Sequence, residues 1–253
     1  MLDFSNLTVK YKNSETLAVS DVSFSLNDGE FVGVVGESGS GKTSVISAAM
    51  GLLPVGATVT GSIYFKGRDL LALPPLLLNK IRWNEIALIP QGALNSFTPV
   101  LTIGHHIYEV LNRHKKLNKN ECESIIPSLL EDVELESSIA LRYPHELSGG
   151  QKQRAAIALS LACEPSLLFA DEPTTALDVV TQSGILRLLV KLQKERNLTI
   201  VLVTHDLPMA SSVCNSLYVM KGGCMVESGK SSDVIHSPRE DYTKSLVKAM
   251  LFR

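Results

Sequence analysis

The sequence predicts an α/β fold: a mostly parallel sheet with helices on its faces, an N-terminal antiparallel β part and a helical insertion. Three observations predict it. Short apolar runs at 31–35, 86–89, 167–170 and 199–203 have strand length, and a glycine, a proline or polar residues close each one. Helical periodicity stands between such runs, as at Ile185, Leu188, Leu189 and Leu192. The stretch 102–141 carries helical signals with little β-branched alternation. Strands that alternate with helices pair in parallel, and ligands then gather at the carboxyl ends of the strands.

The first part of the chain reads as strands. Val22, Phe24 and Leu26 alternate with polar residues, as a half-buried strand requires, and Asn27-Asp28-Gly29 is a turn signal. The run 31–35 ends at Gly36. After Lys42 the pattern turns helical and stops at Gly51, a C-cap residue. Residues 62–65 look like a strand before the turn Lys66-Gly67, and 86–89 another, stopped by Pro90. The helical stretch has polar breaks around 115–120 and ends at Tyr143-Pro144-His145. Two strands at 215–220 and 224–227 flank Gly222-Gly223, and an amphipathic helix covers 241–250. The expected organisation is one domain over 1–253. Its core spans about 1–90 and 150–253, and its helical subdomain about 91–149.

Composition excludes several classes. With 253 residues the chain can bury a substantial core. The net charge of −2 and the lack of Lys/Arg clusters argue against nucleic acid and against a lipid surface. No apolar run is long enough to cross a bilayer; the richest, 70–78, is broken by Pro74 and Pro75. The start, Met1-Leu2-Asp3-Phe4, has no secretion-signal pattern, so the chain is expected to stay where it is made and to be held at any membrane by another protein. Cys122, Cys163, Cys214 and Cys224 form no Cys-x-x-Cys pair and have no histidine at zinc spacing; they read as buried or half-buried thiols in a reducing compartment.

Chemistry is concentrated after the strands. Gly36-Glu37-Ser38-Gly39-Ser40-Gly41-Lys42-Thr43, with Ser44 next, fits the Walker A pattern between a strand and a helix. Glycines let backbone amides approach phosphate, and the helix amino end adds positive partial charge. Lys42 is placed to reach β- and γ-phosphates, and the Thr43 hydroxyl to bind Mg²⁺. Without a ligand such a loop would be only a glycine-rich turn, but its strand-helix context favours a nucleotide. Asp171 and Glu172 close the strand 167–170: one carboxylate for Mg²⁺, the other to orient or deprotonate water. Alone, an acidic pair at a strand end is weak evidence; downstream of a Walker A loop it is strong. Leu147-Ser148-Gly149-Gly150-Gln151 gives a helix start with a capping serine and exposed amides, a second anion cradle that one nucleotide does not require.

The run Tyr143-Pro144-His145-Glu146-Leu147-Ser148-Gly149-Gly150-Gln151-Lys152-Gln153-Arg154 resembles the signature region of ATP-binding-cassette (ABC) ATPases. Asp171-Glu172-Pro173-Thr174-Thr175-Ala176-Leu177-Asp178 resembles their Walker B and D-loop. The resemblance covers nearly the whole chain with the motifs in order. It implies a P-loop NTPase core, ATP and Mg²⁺ as ligands, and catalysis by Glu172, His205, Gln91 and Lys42. By resemblance Gln91 is the Q-loop residue beside the metal and His205 the switch histidine at the γ-phosphate. Asp178 communicates across a dimer, and Tyr11 stacks on adenine. Ser148, Gly149, Gly150 and Gln151 act on the nucleotide of the other subunit. Each of these would be unremarked alone: a loop glutamine, a structural histidine, a packed tyrosine.

Flanking residues, Asn95-Ser96-Phe97-Thr98-Pro99-Val100-Leu101-Thr102-Ile103-Gly104 and Ser237-Pro238-Arg239-Glu240-Asp241-Tyr242-Thr243-Lys244-Ser245-Leu246, resemble the oligopeptide, dipeptide and nickel importer branch. Gly92-Ala93 departs from the Asp-Pro common there. The end at Arg253, without a cysteine-containing extension, tilts the expected cargo toward nickel or a metal complex. The resemblance implies a peripheral subunit on the cytoplasmic face of the inner membrane. Its partners would be a paralogous ATPase (or a second copy), two permease subunits and, indirectly, an extracytoplasmic solute-binding protein. The rival readings are a soluble ABC protein of DNA repair or translation, a non-hydrolysing ATP sensor and an exporter ATPase. The missing coiled coil and second cassette oppose the first. The joint presence of Glu172, His205, Gln91 and Ser148 opposes the second, and the Pro99-Val100 and Tyr143-Pro144 flanks oppose the third.

Overall fold

A computed structural model describes residues 1–93 and 96–250. Asn95, from the branch-specific run, and Arg253, on which the cargo expectation leaned, lie outside the described residues. The chain begins β1 (Leu2–Lys10), β2 (Val19–Leu26), β3 (Phe31–Val35), α1 (Lys42–Ala49), β4 (Thr58–Phe65), β5 (Arg68–Asp69) and α2 (Pro75–Ile81). It continues β6 (Ile86–Ile89), α3 (Ile103–Lys115), α4 (Lys119–Asp132), two short 3-10 turns, α5 (Gly149–Leu161), β7 (Leu167–Asp171) and α6 (Val179–Arg196). It closes β8 (Thr199–Thr204), α7 (Leu207–Val213), β9 (Ser216–Lys221), β10 (Cys224–Lys230), α8 (Ser231–His236) and α9 (Asp241–Met250). The fold class is α/β, as the sequence predicts. Two compact units divide it: Met1–Asn79 with Thr199 onward, and Lys80–Leu198.

In the first unit, β1 pairs antiparallel with β2 and with β4, and β5 pairs with the end of β4. The core face of this sheet carries Leu2, Phe4, Val22 and Ile63, and the Phe4 and Phe24 rings stack with centroids 4.3 Å apart. Strand β3, buried along its whole length, pairs in parallel with β8 on one side and β9 on the other. A strand enclosed by parallel neighbours and covered on both faces must be apolar throughout, and Phe-Val-Gly-Val-Val is. The helix α9 is strongly amphipathic, with Thr243 fully buried beneath it.

In the second unit, β6 and β7 run parallel in the register Ile86↔Leu167 to Ile89↔Ala170. The helical stretch breaks at Lys116, whose φ of 62° ends α3, and resumes at α4 behind the Asn118/Glu121 capping box. Arg154 on α5 donates to the Val133 carbonyl (2.9 Å) and pairs with Glu134 (2.6 Å), which pins α5 to the end of α4.

Some elements exceed what the sequence predicts. β4 starts at Thr58, four residues ahead of the expected strand, because its first half is half-exposed and lacks apolar alternation. Pro75, which breaks the apolar run 70–78, opens α2; proline costs nothing in the first helical turn, where its amide has no partner to lose. Pro208 does the same for α7.

The cysteines are free thiols: Cys122, Cys163 and Cys214 are buried and Cys224 is exposed, so the expected burial fails for one of the four. Cys224 lies at the tip of the β9–β10 hairpin, where the chain turns out to solvent. Burial pushes the Cys163 thiol up to about 11 and raises Cys214 further still, so neither offers thiolate at neutral pH. Alkylation of the native chain should label Cys224 quickly and the other three only after unfolding, as peptide mass mapping will show.

Candidate ATP site

In the first unit the phosphate loop follows β3 directly. Its backbone takes φ of 155° at Gly36, 79° at Gly39 and 101° at Gly41, values closed to L side chains at the last two. Space forbids a side chain as well. A Cβ at Gly36 would lie 2.1 Å from the Met220 carbonyl oxygen, and one at Gly41 would lie 2.2 Å from that of Ala18. Lys42 is 5% exposed, and its Nζ donates to the carbonyls of Gly36 (2.8 Å) and Glu37 (2.7 Å) and to Ser40 Oγ (3.3 Å). Gly41 caps α1 without any side-chain acceptor for the helix amides. A buried cation, a glycine backbone and a helix start with no side-chain cap suit a polyphosphate.

Thr43 is exposed on the first turn of α1, while Ser44 is buried and its Oγ lies 2.8 Å from the Tyr11 hydroxyl. Tyr11 therefore sits beside the phosphate-loop helix. The parallel register Val35↔Thr204 brings the ends of β3 and β8 level, so Gly36 and His205 leave the sheet side by side. Asp206 then caps α7 through the Met209 amide.

The second unit repeats this logic. Because Ile89 is level with Ala170, the residues after them, Gln91 and Glu172, emerge together. Gln91 Nε2 donates to Glu172 Oε2 at 3.2 Å, and the Thr175 hydroxyl donates to the same oxygen at 3.0 Å. Asp171 is buried at the end of β7. Glu172 has a φ of 47°, a conformation that costs a non-glycine residue about 1–2 kcal/mol, and the Thr175 amide closes the turn onto its carbonyl. Sequence reasoning placed both residues but offered no sign that they touch.

Ser148 caps α5 in a reciprocal box with Gln151: Ser148 Oγ accepts from the Gln151 amide (3.3 Å) and Gln151 Oε1 from the Ser148 amide (3.0 Å). Asp178 caps α6, accepting from the Thr181 amide (3.0 Å) and hydroxyl (2.7 Å). The two caps are neighbours. A Cβ on Gly150 would meet Thr181 Cγ2 at 2.8 Å, and one on Gly149 would meet Leu177 at 3.2 Å. A cavity of about 700 Å³ opens there, lined in part by Arg142, Ser148, Gly150, Gln151, Thr181 and Arg187.

Comparison with known proteins settles the family. Residues 19–175 match the ABC transporter family. The chain belongs to it. The oligopeptide transport ATP-binding protein OppD of Haemophilus influenzae is 41% identical over 99% of this chain and 79% of its own length. The dipeptide transport ATP-binding protein DppD of Bacillus subtilis is 40% identical over 98% and 76%. Among solved structures, dimeric MJ0796, a bacterial ABC transporter cassette, superposes with a TM-score of 0.81 at 32% identity, covering 91% of this chain and 99% of that one. A post-hydrolysis dimer of the same cassette bound to ADP and Pi superposes at 0.79. As a member of this family the chain is an ATP-binding ATPase. No helix among the described residues is long and apolar enough to cross a membrane.

The Asp178 carboxyl is held below the usual range, first by the Thr181 amide and then by the Thr181 hydroxyl. A depressed folded-state value means stability present above the unfolded value, about 4, and lost as pH falls through the folded one. Asp178→Ala should therefore lower stability to urea at neutral pH, with the gap from wild type narrowing below pH of about 4.

Proposed function

We propose that this chain is the ATPase subunit of an ABC importer of short peptides, closing with a second cassette on two ATP molecules to drive separate permease subunits. The buried Lys42 ammonium, beneath a backbone that only glycine follows, carries the reading. It is a clamp built for the β- and γ-phosphates. Loop amides between Gly36 and Ser44, apart from those of Glu37 and Ser40, which donate within the chain, complete the cradle, and Tyr11 stacks on adenine. Glu172 accepts a proton from the attacking water, Gln91 holds that carboxylate in place, and His205 donates to the γ-phosphate. Ser148, Gly149, Gly150 and Gln151 present the α5 start to the nucleotide of the other subunit, and Asp178 sets the neighbouring helix against them.

Thr43, Gln91 and Asp171 offer the hard oxygen donors that Mg²⁺ takes. When bound, the ion supplies neutralisation of phosphate charge. Peptide cargo, rather than the nickel complex suggested by the end at Arg253, is supported by relatives named for oligopeptide and dipeptide transport along nearly the whole chain. The same names support work in transport; the cytoplasmic face of the membrane, and an extracytoplasmic binding protein that delivers the cargo, follow from the resemblance to the importer branch. MJ0796, described as dimeric, supports a paired cassette, with a paralogue or a second copy as the partner.

Glu172→Gln should bind ATP at least as well as wild type, lose nearly all turnover and accumulate ATP-bound dimers on size exclusion; near-normal phosphate release would refute its role as base. Lys42→Ala should lose most ATP binding in an equilibrium filter assay, and unchanged affinity would refute the clamp.

A further inference from the structure

The run 237–246, which marked the importer branch, has no part in the chemistry above, yet it ends on the phosphate loop. The approach to α9 is anchored on β10, where Glu227 Oε1 accepts from the Arg239 amide (2.8 Å) and Oε2 from the Glu240 amide (3.2 Å). One turn on, Thr243 is fully buried. Between these anchors Tyr242 turns its hydroxyl to the loop and accepts from the Glu37 amide at 3.2 Å, while Lys221 Nζ stands 4.7 Å from its ring centroid. The far side of the same residue is also engaged: the Glu37 carbonyl accepts from Lys42 Nζ at 2.7 Å and from the Ser40 amide at 3.2 Å.

Glu37 is thus the joint between the C-terminal helix and the buried lysine. It is exposed, as are Ser38 and Gly39 after it, so nothing from the core packs over this side of the loop. A tyrosine kept only for packing would bury its ring and leave its hydroxyl to water. Here the ring is held under a cation and the hydroxyl is spent on a loop amide. Burial raises the pKa of the hydroxyl, the Glu37 amide opposes that rise, and the Glu37 carboxylate adds to it.

We propose that Tyr242 is a positioning residue of the ATP site: its hydrogen bond to the Glu37 amide fixes the turn whose carbonyl holds Lys42, so that the seating of α9 on Glu227 sets the affinity for ATP. The proposal rests on the ATP-site reading above.

The test is equilibrium binding of ATP to the purified full chain by calorimetry, with thermal unfolding measured in parallel. Tyr242→Phe removes the hydroxyl and keeps the ring. Its Kd for ATP should rise about three- to tenfold, the order expected for one hydrogen bond, with a Tm within about 2 °C of wild type. Glu227→Gln loosens the anchor and should also weaken binding in the wild-type background, yet add nothing once Tyr242 is Phe. An unchanged Kd for Tyr242→Phe, or full additivity of the two substitutions, overturns the proposal. Lys42→Ala measured alongside separates two failures. If its binding is lost while Tyr242→Phe binds normally, only the tyrosine link falls; if both bind normally, the nucleotide reading falls with it.

Discussion

A buried ammonium is the constraint around which the nucleotide side of this molecule is arranged. Taking a lysine out of water is unfavourable unless oxygens replace the water, and Lys42 meets that condition with two loop carbonyls and a hydroxyl. The carbonyls can turn inward only because the backbone passes through conformations closed to side chains at Gly39 and Gly41. The loop in turn lies against the Ala18 and Met220 carbonyls, within a Cβ radius of them. The ends of β9 and of the segment before β2 are therefore part of the same object.

The acidic half follows from strand register. Parallel strands that end level deliver their next residues side by side, and this alone brings the Gln91 amide onto the Glu172 carboxylate. Glu172 also sits in a strained backbone conformation, which a strand end followed by Pro173 and a closed turn can hold. The two helix caps show how structure and function share groups. Ser148 and Asp178 each satisfy amides of their own helix, and each is proposed to serve the contact with a partner cassette. The glycines between them are packing residues as well as proposed phosphate donors, since Gly150 leaves no room for a methyl beside Thr181.

Legibility in the sequence tracked locality. Strands β3 and β6 begin and end where the apolar runs do, because a parallel strand buried along most of its length is apolar and Gly36 and Pro90 terminate the runs. Helix α9 matches its amphipathic stretch residue for residue. The first half of β4 was not legible because its partner is β1, a pairing made across some fifty residues of chain with exposed threonines. Prolines do not mark where these helices end: Pro75 and Pro208 stand in the first turns of α2 and α7, and Pro127 lies inside α4. In the site, motifs placed every catalytic candidate on a strand end or helix start. Contacts between distant segments were invisible to spacing: Gln91 with Glu172, Tyr11 with Ser44, and Tyr242 with Glu37.

The claim beneath all of this is that the glycine-dependent path of residues 36–41 creates the triphosphate site. It is tested most directly by calorimetric binding of ATP to Gly41→Ala, with circular dichroism to verify the fold. A methyl there must displace the Ala18 carbonyl and enter a forbidden backbone region, so the account predicts a well-folded protein whose ATP affinity falls by more than about tenfold. A folded Gly41→Ala chain that binds ATP as tightly as wild type would contradict it.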